Sequence, residues 1–330
     1  MHRIKIFFLS FLFLLVSLYG VLWLFSFRTY PVEFGISFNQ DHATYLGLDW
    51  KKVYRDVLDD LQPKYIRIAA MWSDVERKQG KFTFENVDFM MNEAAKRNVK
   101  VMLVVGQKSP RWPECHVPSW YKTVSVKEKF LKEYVKKTVE RYREHPALEL
   151  WQVENEPFIR FTFGDCSDFD ESLVADEIIQ VKSLDPKHKI LVTDSGELST
   201  WRKAIKAGDL FGTTLYRVVR TPGGSYFYYD WLPPGFYHLK ARLYGKSLND
   251  VYVAELQAEP WFTNTHPDTT PIADQEKSMN IDRLKKHVDY VRRIGSPRTY
   301  LWGVEWWAWM KEKKGNTQYW DLVKEELREP

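Results

Sequence analysis

The sequence predicts an α/β fold: a (β/α)8 TIM barrel preceded by one N-terminal transmembrane helix. Short apolar runs alternate with amphipathic helical stretches eight times over about 300 residues, which suits a closed barrel. The runs are apolar throughout, as strands of a parallel sheet covered by helices on its outer face must be. The rival, an open doubly wound sheet, would place a glycine-rich phosphate turn after its first strand; Gly35-Ile36-Ser37-Phe38-Asn39-Gln40 stands there instead.

His2, Arg3 and Lys5 precede an apolar segment from Ile6 to Phe27, long enough at ~1.5 Å per residue to cross a hydrocarbon core of ~30 Å. Neither Leu18-Tyr19-Gly20 nor Ser26-Phe27-Arg28 offers a good small-x-small cleavage site, and no cysteine follows to carry a lipid. Residues 1–29 therefore read as a cytoplasmic stub with an uncleaved signal anchor, and residues 30–330 as a domain held at the membrane, outside the cytoplasm.

The first unit is a strand from Glu33 to Asn39 and a helix that Asp49 caps and Leu61 ends, with Val53, Val57, Leu58 and Leu61 at helical spacing. Strand two runs from Tyr65 to Trp72 and its helix from Glu85 to Asn98; strand three runs from Lys100 to Gly106 and its helix from Val126 to Glu144. Strand four, from Leu148, stops at Pro157 and is followed by a helix from Glu171 to Leu184. Lys189 to Asp194 with Ser199 to Ala207 makes the fifth unit, and Leu210 to Tyr216 with Phe236 to Tyr244 the sixth. Asp250 to Glu255 with Gln275 to Ile294 makes the seventh; Thr299 to Trp306 with Gln318 to Leu327 makes the eighth.

Composition narrows the function. A formal charge of +4, with no long Lys/Arg block, lacks the footprint of a nucleic-acid binder. Aromatic residues make up 16%, and 14 tryptophans exceed what a core of this size needs, which points to aromatic surfaces near a ligand. The eight histidines show neither HExxH nor paired spacing, so no metal and no cofactor is expected.

In a parallel barrel the chemistry gathers at the C-terminal ends of the strands. Strand four delivers Asn155 and Glu156 there, just before Pro157, and strand seven delivers Glu255 across the mouth. Two carboxyl groups facing each other across a cleft suit retaining glycoside hydrolysis, in which they lie ~5 Å apart. Glu154 and Glu259 flank the pair as alternative players, but Glu154 lacks a preceding Asn and Glu259 lies beyond its strand, before Pro260.

With these residues the chain resembles the (β/α)8 glycoside hydrolases of clan A, a cellulase-like family 5 or a related family. The likeness covers everything after the anchor and rests on Arg67, Asn155-Glu156-Pro157, Tyr216, Glu255 and the tryptophan-rich stretch Trp302 to Trp309. It implies that Glu156 is the general acid/base and Glu255 the nucleophile, and that Asn155 binds the sugar 2-hydroxyl. Arg67 and Tyr216 would hold the nucleophile by hydrogen bonds; a buried structural ion pair is the other reading of Arg67. Trp72, Trp112, Trp120, Trp261, Trp306 and Trp307 lie at or past strand ends, and Trp261, Trp306 and Trp307 are the first choices for stacking on sugar. Cys115 and Cys166 fall in neighbouring rim loops, where a disulfide is feasible and two free thiols are the alternative.

The expected partner is an oligo- or polysaccharide, with the membrane engaged through the N-terminal helix and no nucleic acid. The expected activity is hydrolysis of a β-linked glycan through a glycosyl-enzyme ester. Transglycosylation, or a catalytically silent carbohydrate-binding barrel, are the alternatives.

Overall fold

Along the second strand Tyr65, Arg67 and Ala69 turn to one side and Ile66 and Ile68 to the other, and that alternation builds the molecule. The computed structural model describes residues 2–124, 126–160, 164–167, 169–221, 223–262 and 266–328. Eight strands are parallel: β1 (Glu33–Ser37), β2 (Tyr65–Ala69), β3 (Lys100–Val105), β4 (Leu148–Val153), β5 (Lys189–Ser195), β6 (Leu210–Leu215), β7 (Val251–Gln257) and β8 (Arg298–Trp302). They close in the order β1-β8-β7-β6-β5-β4-β3-β2, as the eightfold alternation predicts.

The helices in chain order are α1 (His2–Phe25), α2 (Gln40–Tyr45), α3 (Trp50–Asp56), α4 (Trp72–Val75), α5 (Glu85–Lys96), α6 (Lys127–Tyr142), α7 (Val174–Leu184) and α8 (Ala204–Ala207), followed by α9 (Gly235–Leu243), α10 (Ile272–Gln275), α11 (Ile281–Ile294), α12 (Val304–Lys314) and α13 (Gln318–Glu326). Asp49 caps α3 by accepting from the N–H groups of Lys51 and Lys52, so the residue expected to start that helix does so. Ile4–Phe25 of α1 is long and apolar enough to cross a membrane.

Inside the barrel Tyr65, Met102, Leu150, Leu191, Leu210 and Tyr300 pack into an apolar floor toward the strands' N-terminal ends. A second, larger apolar layer fills the space between strands and helices. Above the floor the inward positions turn polar, with Arg67, Gln152 and Thr193 all buried. The strand ends thus carry a charged mouth on an apolar plug.

The elements depart from expectation at several places, beginning with strand two, which ends at Ala69 so that Trp72 opens α4. The expected helix from Ser199 shrinks to α8, because Ser199 donates to the Asp194 carboxylate, its carbonyl is held by Lys240, and Trp201 adopts φ +68°. The expected helix from Gln275 starts only at Ile281, where Asn280 accepts from Arg283 N–H and caps it. The segment after β6 is a short antiparallel hairpin, Val218–Arg220 with Tyr226–Tyr228. The largest departure is at the eighth strand, which ends at Trp302.

Gly303 ends it, with φ +139° and with Ala258 and Glu259 so close that a Cβ would come within 2.7 Å of Glu259 Cβ. Trp306 and Trp307 therefore belong to α12. They are 1% and 0% exposed, and their indole N–H groups donate to Gln275 Oε1 at 2.9 Å and Ala258 O at 2.7 Å. The expectation that they stack on sugar is corrected: they are core residues. Trp307→Ala should accordingly lower stability by about 3–5 kcal/mol, read from denaturant unfolding. A change within ~0.5 kcal/mol, typical of surface substitutions, would contradict the placement.

Candidate active site

Arg67 is 1% exposed, and from β2 its guanidinium fork reaches β4, the turn just past it, and β7. Nε donates to Gln152 Oε1 on β4 at 2.8 Å, Nη1 to Glu255 Oε1 on β7 at 2.7 Å, and Nη2 to Asn155 Oδ1 at 2.8 Å. Tyr216 donates its hydroxyl to the other Glu255 oxygen at 2.7 Å. Both oxygens of that carboxyl thus accept charged or phenolic hydrogen bonds, the surroundings an ionised carboxylate requires when taken out of water.

Glu156 sits differently. Its carboxyl accepts from Thr214 Oγ1 at 2.9 Å, its backbone oxygen accepts from Lys108 Nζ at 3.2 Å, and its own N–H donates to Thr193 Oγ1 at 2.8 Å. Burial first, and then the facing Glu255 charge, push its carboxyl up to about 8. The structure therefore brings the four expected strand-end groups together and gives the two acids opposite surroundings. Asn155 is oriented too: its Oδ1 also accepts from Gln152 Nε2 at 3.2 Å.

The turn that presents these groups is held from below by Glu154, which is fully buried. Its carboxylate accepts from Gln107 N–H at 2.7 Å and Lys108 N–H at 2.5 Å, fastening the end of β4 to the loop after β3. It lies directly on Gly106, where a Cβ would be 2.5 Å from the carboxyl carbon. Burial raises Glu154 to about 7, and the neighbouring Glu177 carboxyl on α7 is pushed up as well, chiefly by burial. Glu154 and Glu156 both take left-handed backbone, φ +58° and +46°, a conformation costing roughly 1–2 kcal/mol in a non-glycine residue.

A second charged group lies beside the pair. Arg111 donates to Glu259 with both terminal nitrogens, to Glu305 Oε2 at 2.6 Å, and its guanidinium lies 4.1 Å from the Trp302 ring centroid. Glu259 also accepts from Trp302 Nε1 at 2.9 Å, and Glu305 from Asn39 N–H at 2.6 Å. Asn39, Arg111, Trp302 and Glu305 line a narrow cleft together with Arg67 and Pro110. His42, Glu259 and Glu305 have ligand atoms within 4.8 Å of one another, the one candidate cation trio among the described residues. The Arg111 guanidinium already bridges its two carboxylates.

Trp261 is at the mouth as expected, half-buried, with its ring edge-on to Tyr216 at 5.4 Å. Trp72 is buried and stacked on Tyr134, Trp120 packs half-buried beside it, and Trp112 is exposed. Cys115 and Cys166 are joined in a disulfide that ties the loop after β3 to the loop after β4. The sequence reading missed Arg111, Trp302 and Glu305 as mouth residues. Placing Glu305 inside a strand hid it, although the run Ser109-Pro110-Arg111-Trp112 was a visible signal.

A family model for glycosyl hydrolase family 10 matches residues 67–174. The mannan endo-1,4-beta-mannosidase F of Aspergillus fumigatus is 23% identical over 172 residues, 42% of this chain and 38% of that protein. The probable mannan endo-1,4-beta-mannosidase F of Emericella nidulans is 24% identical over 134 residues, 36% of this chain and 28% of that one. The chain thus spans well under half the length of these curated relatives. Among solved structures, GH5_18 from Bifidobacterium longum subsp. longum superposes with a TM-score of 0.57 at 14% identity over 82% of this chain and 69% of its own. A Thermobacillus composti GH10 xylanase gives 0.51 at 15% identity over 82% and 83%. The chain thus resembles the clan A (β/α)8 glycoside hydrolases in its barrel and over part of its sequence. Within that class the sequence matches fall on mannosidases and family 10, and the fold matches on families 5 and 10.

Two outcomes test the site. Arg67→Met should destabilise by about 3–5 kcal/mol, because it leaves Glu255 buried without its cation; Arg67→Met with Glu255→Gln should recover part of that loss in a denaturant cycle. The second concerns pH. Because Glu156 is lifted from its ordinary 4.5 to about 8, the folded state keeps a proton that the unfolded chain releases in that window. Stability falls as pH rises through it. Glu156→Gln should remove this component, so unfolding midpoints of the two proteins should converge at low pH and separate, with the variant higher, toward pH 8. Parallel curves would mean that Glu156 titrates normally.

Proposed function

We propose that the chain is a retaining glycosidase that cleaves a β-linked glycan by double displacement, anchored by α1 with its barrel outside the cytoplasm. The single observation that carries this reading is the contrast between its two facing acids. Glu255 is gripped on both oxygens by Arg67 and Tyr216, and Glu156 is held protonated by burial and by Glu255 itself. Two facing carboxyls with such different hydrogen-bond surroundings are suited to be an acid and a nucleophile.

In the first step Glu156 gives its proton to the glycosidic oxygen as the Glu255 carboxylate attacks the anomeric carbon. The leaving sugar departs as an alcohol and an ester remains. The Glu255 charge is then spent in the ester bond, which removes the repulsion that kept Glu156 protonated and lets it serve as the base. Water, deprotonated by Glu156, cleaves the ester and both groups return to their starting states. Asn155 Nδ2, aimed by the anchored Oδ1, donates to the 2-hydroxyl as positive charge develops on the ring. Trp261 supplies an apolar face beside Tyr216.

The matched relatives carry mannan endo-1,4-beta-mannosidase names, and a Bifidobacterium longum GH5_18 structure contains Manb1-4GlcNAc, so β-1,4-linked mannosides are the first substrates to offer. A panel of 2-deoxy-2-fluoro glycosides followed by peptide mapping should leave a sugar on Glu255. A label elsewhere would displace it as nucleophile; no label, together with blank hydrolysis screens, would favour the binding-protein reading. Glu156→Ala should slow cleavage of natural leaving groups by about 10²–10⁴-fold and that of activated aryl glycosides far less. The wild-type rate should fall on the alkaline side, near pH 8, as Glu156 loses its proton.

A further inference from the structure

The helix α1 is docked along the barrel, and its contacts give the direction in which it runs. Tyr30, just past the helix, donates its N–H to Arg292 O at 2.9 Å and lays its ring over Gly295 at the end of α11. Ser26 accepts from Gly235 N–H at 3.0 Å at the first residue of α9, where Leu22 O leaves no room for a Cβ. Tyr19 donates to Trp231 O at 2.7 Å, in the turn before α9.

The outer helices run antiparallel to the strands, so their N-termini mark the catalytic rim and their C-termini the floor. His287 on α11 faces Gln257 O, the last residue of β7, at 2.8 Å. One turn nearer the start of α11, above the strand ends, Arg283 holds Asp230, the neighbour of Trp231, at 2.7 Å. The path Tyr30, Ser26, Leu22, Tyr19 therefore climbs from floor to rim. Residues 4–18 continue past the rim for ~20 Å, at ~1.5 Å per residue, and crossing a ~30 Å core also takes part of the stretch Tyr19 to Phe25 beside the rim into the lipid.

A separate observation agrees. Outside α1, six of the large apolar side chains exposed to solvent are Tyr45, Trp112, Leu198, Phe227, Tyr228 and Trp231, between 38% and 67% exposed. All six lie in segments that follow β1, β3, β5 or β6, on the rim, as the exposed Val126 does; of the other three, Phe27 lies just past α1, Ile179 is midway along α7 and Leu243 is at the floor end of α9. Aromatic residues in such a ring match the membrane–water interface. Tyr19 and Trp23, ring centroids 6.4 Å apart on α1, stand at the same level.

We propose that the catalytic rim is a bilayer-facing surface: α1 enters the membrane on the side toward which the mouth opens, and the rim aromatics rest in the lipid interface. This rests on the anchor reading above and goes beyond it, since an anchor alone leaves the barrel free to face anywhere. The substrate class it selects is a β-glycoside displayed at the bilayer surface.

The test uses the full chain in phosphatidylcholine–phosphatidylglycerol nanodiscs, with a benzophenone amino acid placed singly at Leu12, Trp112, Phe227, Lys64 or Lys187. Lys64 and Lys187 are exposed just before β2 and β5, on the opposite end of the barrel. Lipid adducts are expected at Leu12, Trp112 and Phe227 and not at the two lysine positions. Adducts at Leu12 alone, or as many from Lys64 and Lys187 as from the rim, overturn the orientation while the anchor stands. No adduct at Leu12 overturns the anchor, and the orientation with it.

Discussion

A single buried cation organises the mouth of this barrel. Arg67 leaves β2 where the apolar floor ends, and its planar fork binds β4 through Gln152 and Asn155 and β7 through Glu255. A lysine would place a point charge there; only a guanidinium offers donors in three fixed directions. Burying such a charge is costly, and the arrangement is tolerable because its principal partners are a carboxylate and two oriented amide oxygens. The structural and the functional reading of Arg67 thus coincide: the ion pair that closes the top of the core is the one that holds Glu255.

The rest of the mouth repeats the pattern with other partners. Arg111 is shared by Glu259 and Glu305 and lies against Trp302, so the loop after β3 is tied to those after β7 and β8. Glu154 ties the same loop to β4, and the disulfide joins it to the loop after β4. Three independent fastenings converge on one long loop beside the acids. Side chains held from several directions lose little entropy on binding substrate, which is how a rigid scaffold places reacting groups.

Polarity is separated by height. Apolar floor, buried charged layer and aromatic rim follow one another along the barrel axis, and each layer sets the behaviour of the next. The floor excludes water, which pushes Glu156 up; the charged layer gives the Arg67 guanidinium to the Glu255 carboxyl, while Lys108 reaches the Glu156 backbone oxygen; the rim presents rings outward around both. The helix α1 lies along this axis on the outside, its exposed apolar surface continuing where the rim aromatics end.

By itself the sequence determined the eightfold alternation, the closed parallel barrel, the place of Arg67 on strand two and the places of Asn155, Glu156, Tyr216 and Glu255 at or near strand ends, because period-2 and helical patterns are local and a strand's end is set by the residues that stop it. It also marked the apolar N-terminal helix. The tertiary structure decided what depends on contacts between distant segments. Trp306 and Trp307 read as rim aromatics at and just past the end of strand eight, but Gly303, pressed against Glu259, turns the chain into a helix that buries them. Arg111, Glu259 and Glu305 are far apart in sequence, and only barrel closure puts one guanidinium between two carboxylates. The direction of α1 is the same kind of fact: a hydrophobic run specifies that a helix is apolar, while contacts such as Tyr19 with Trp231 and Ser26 with Gly235 specify where it points.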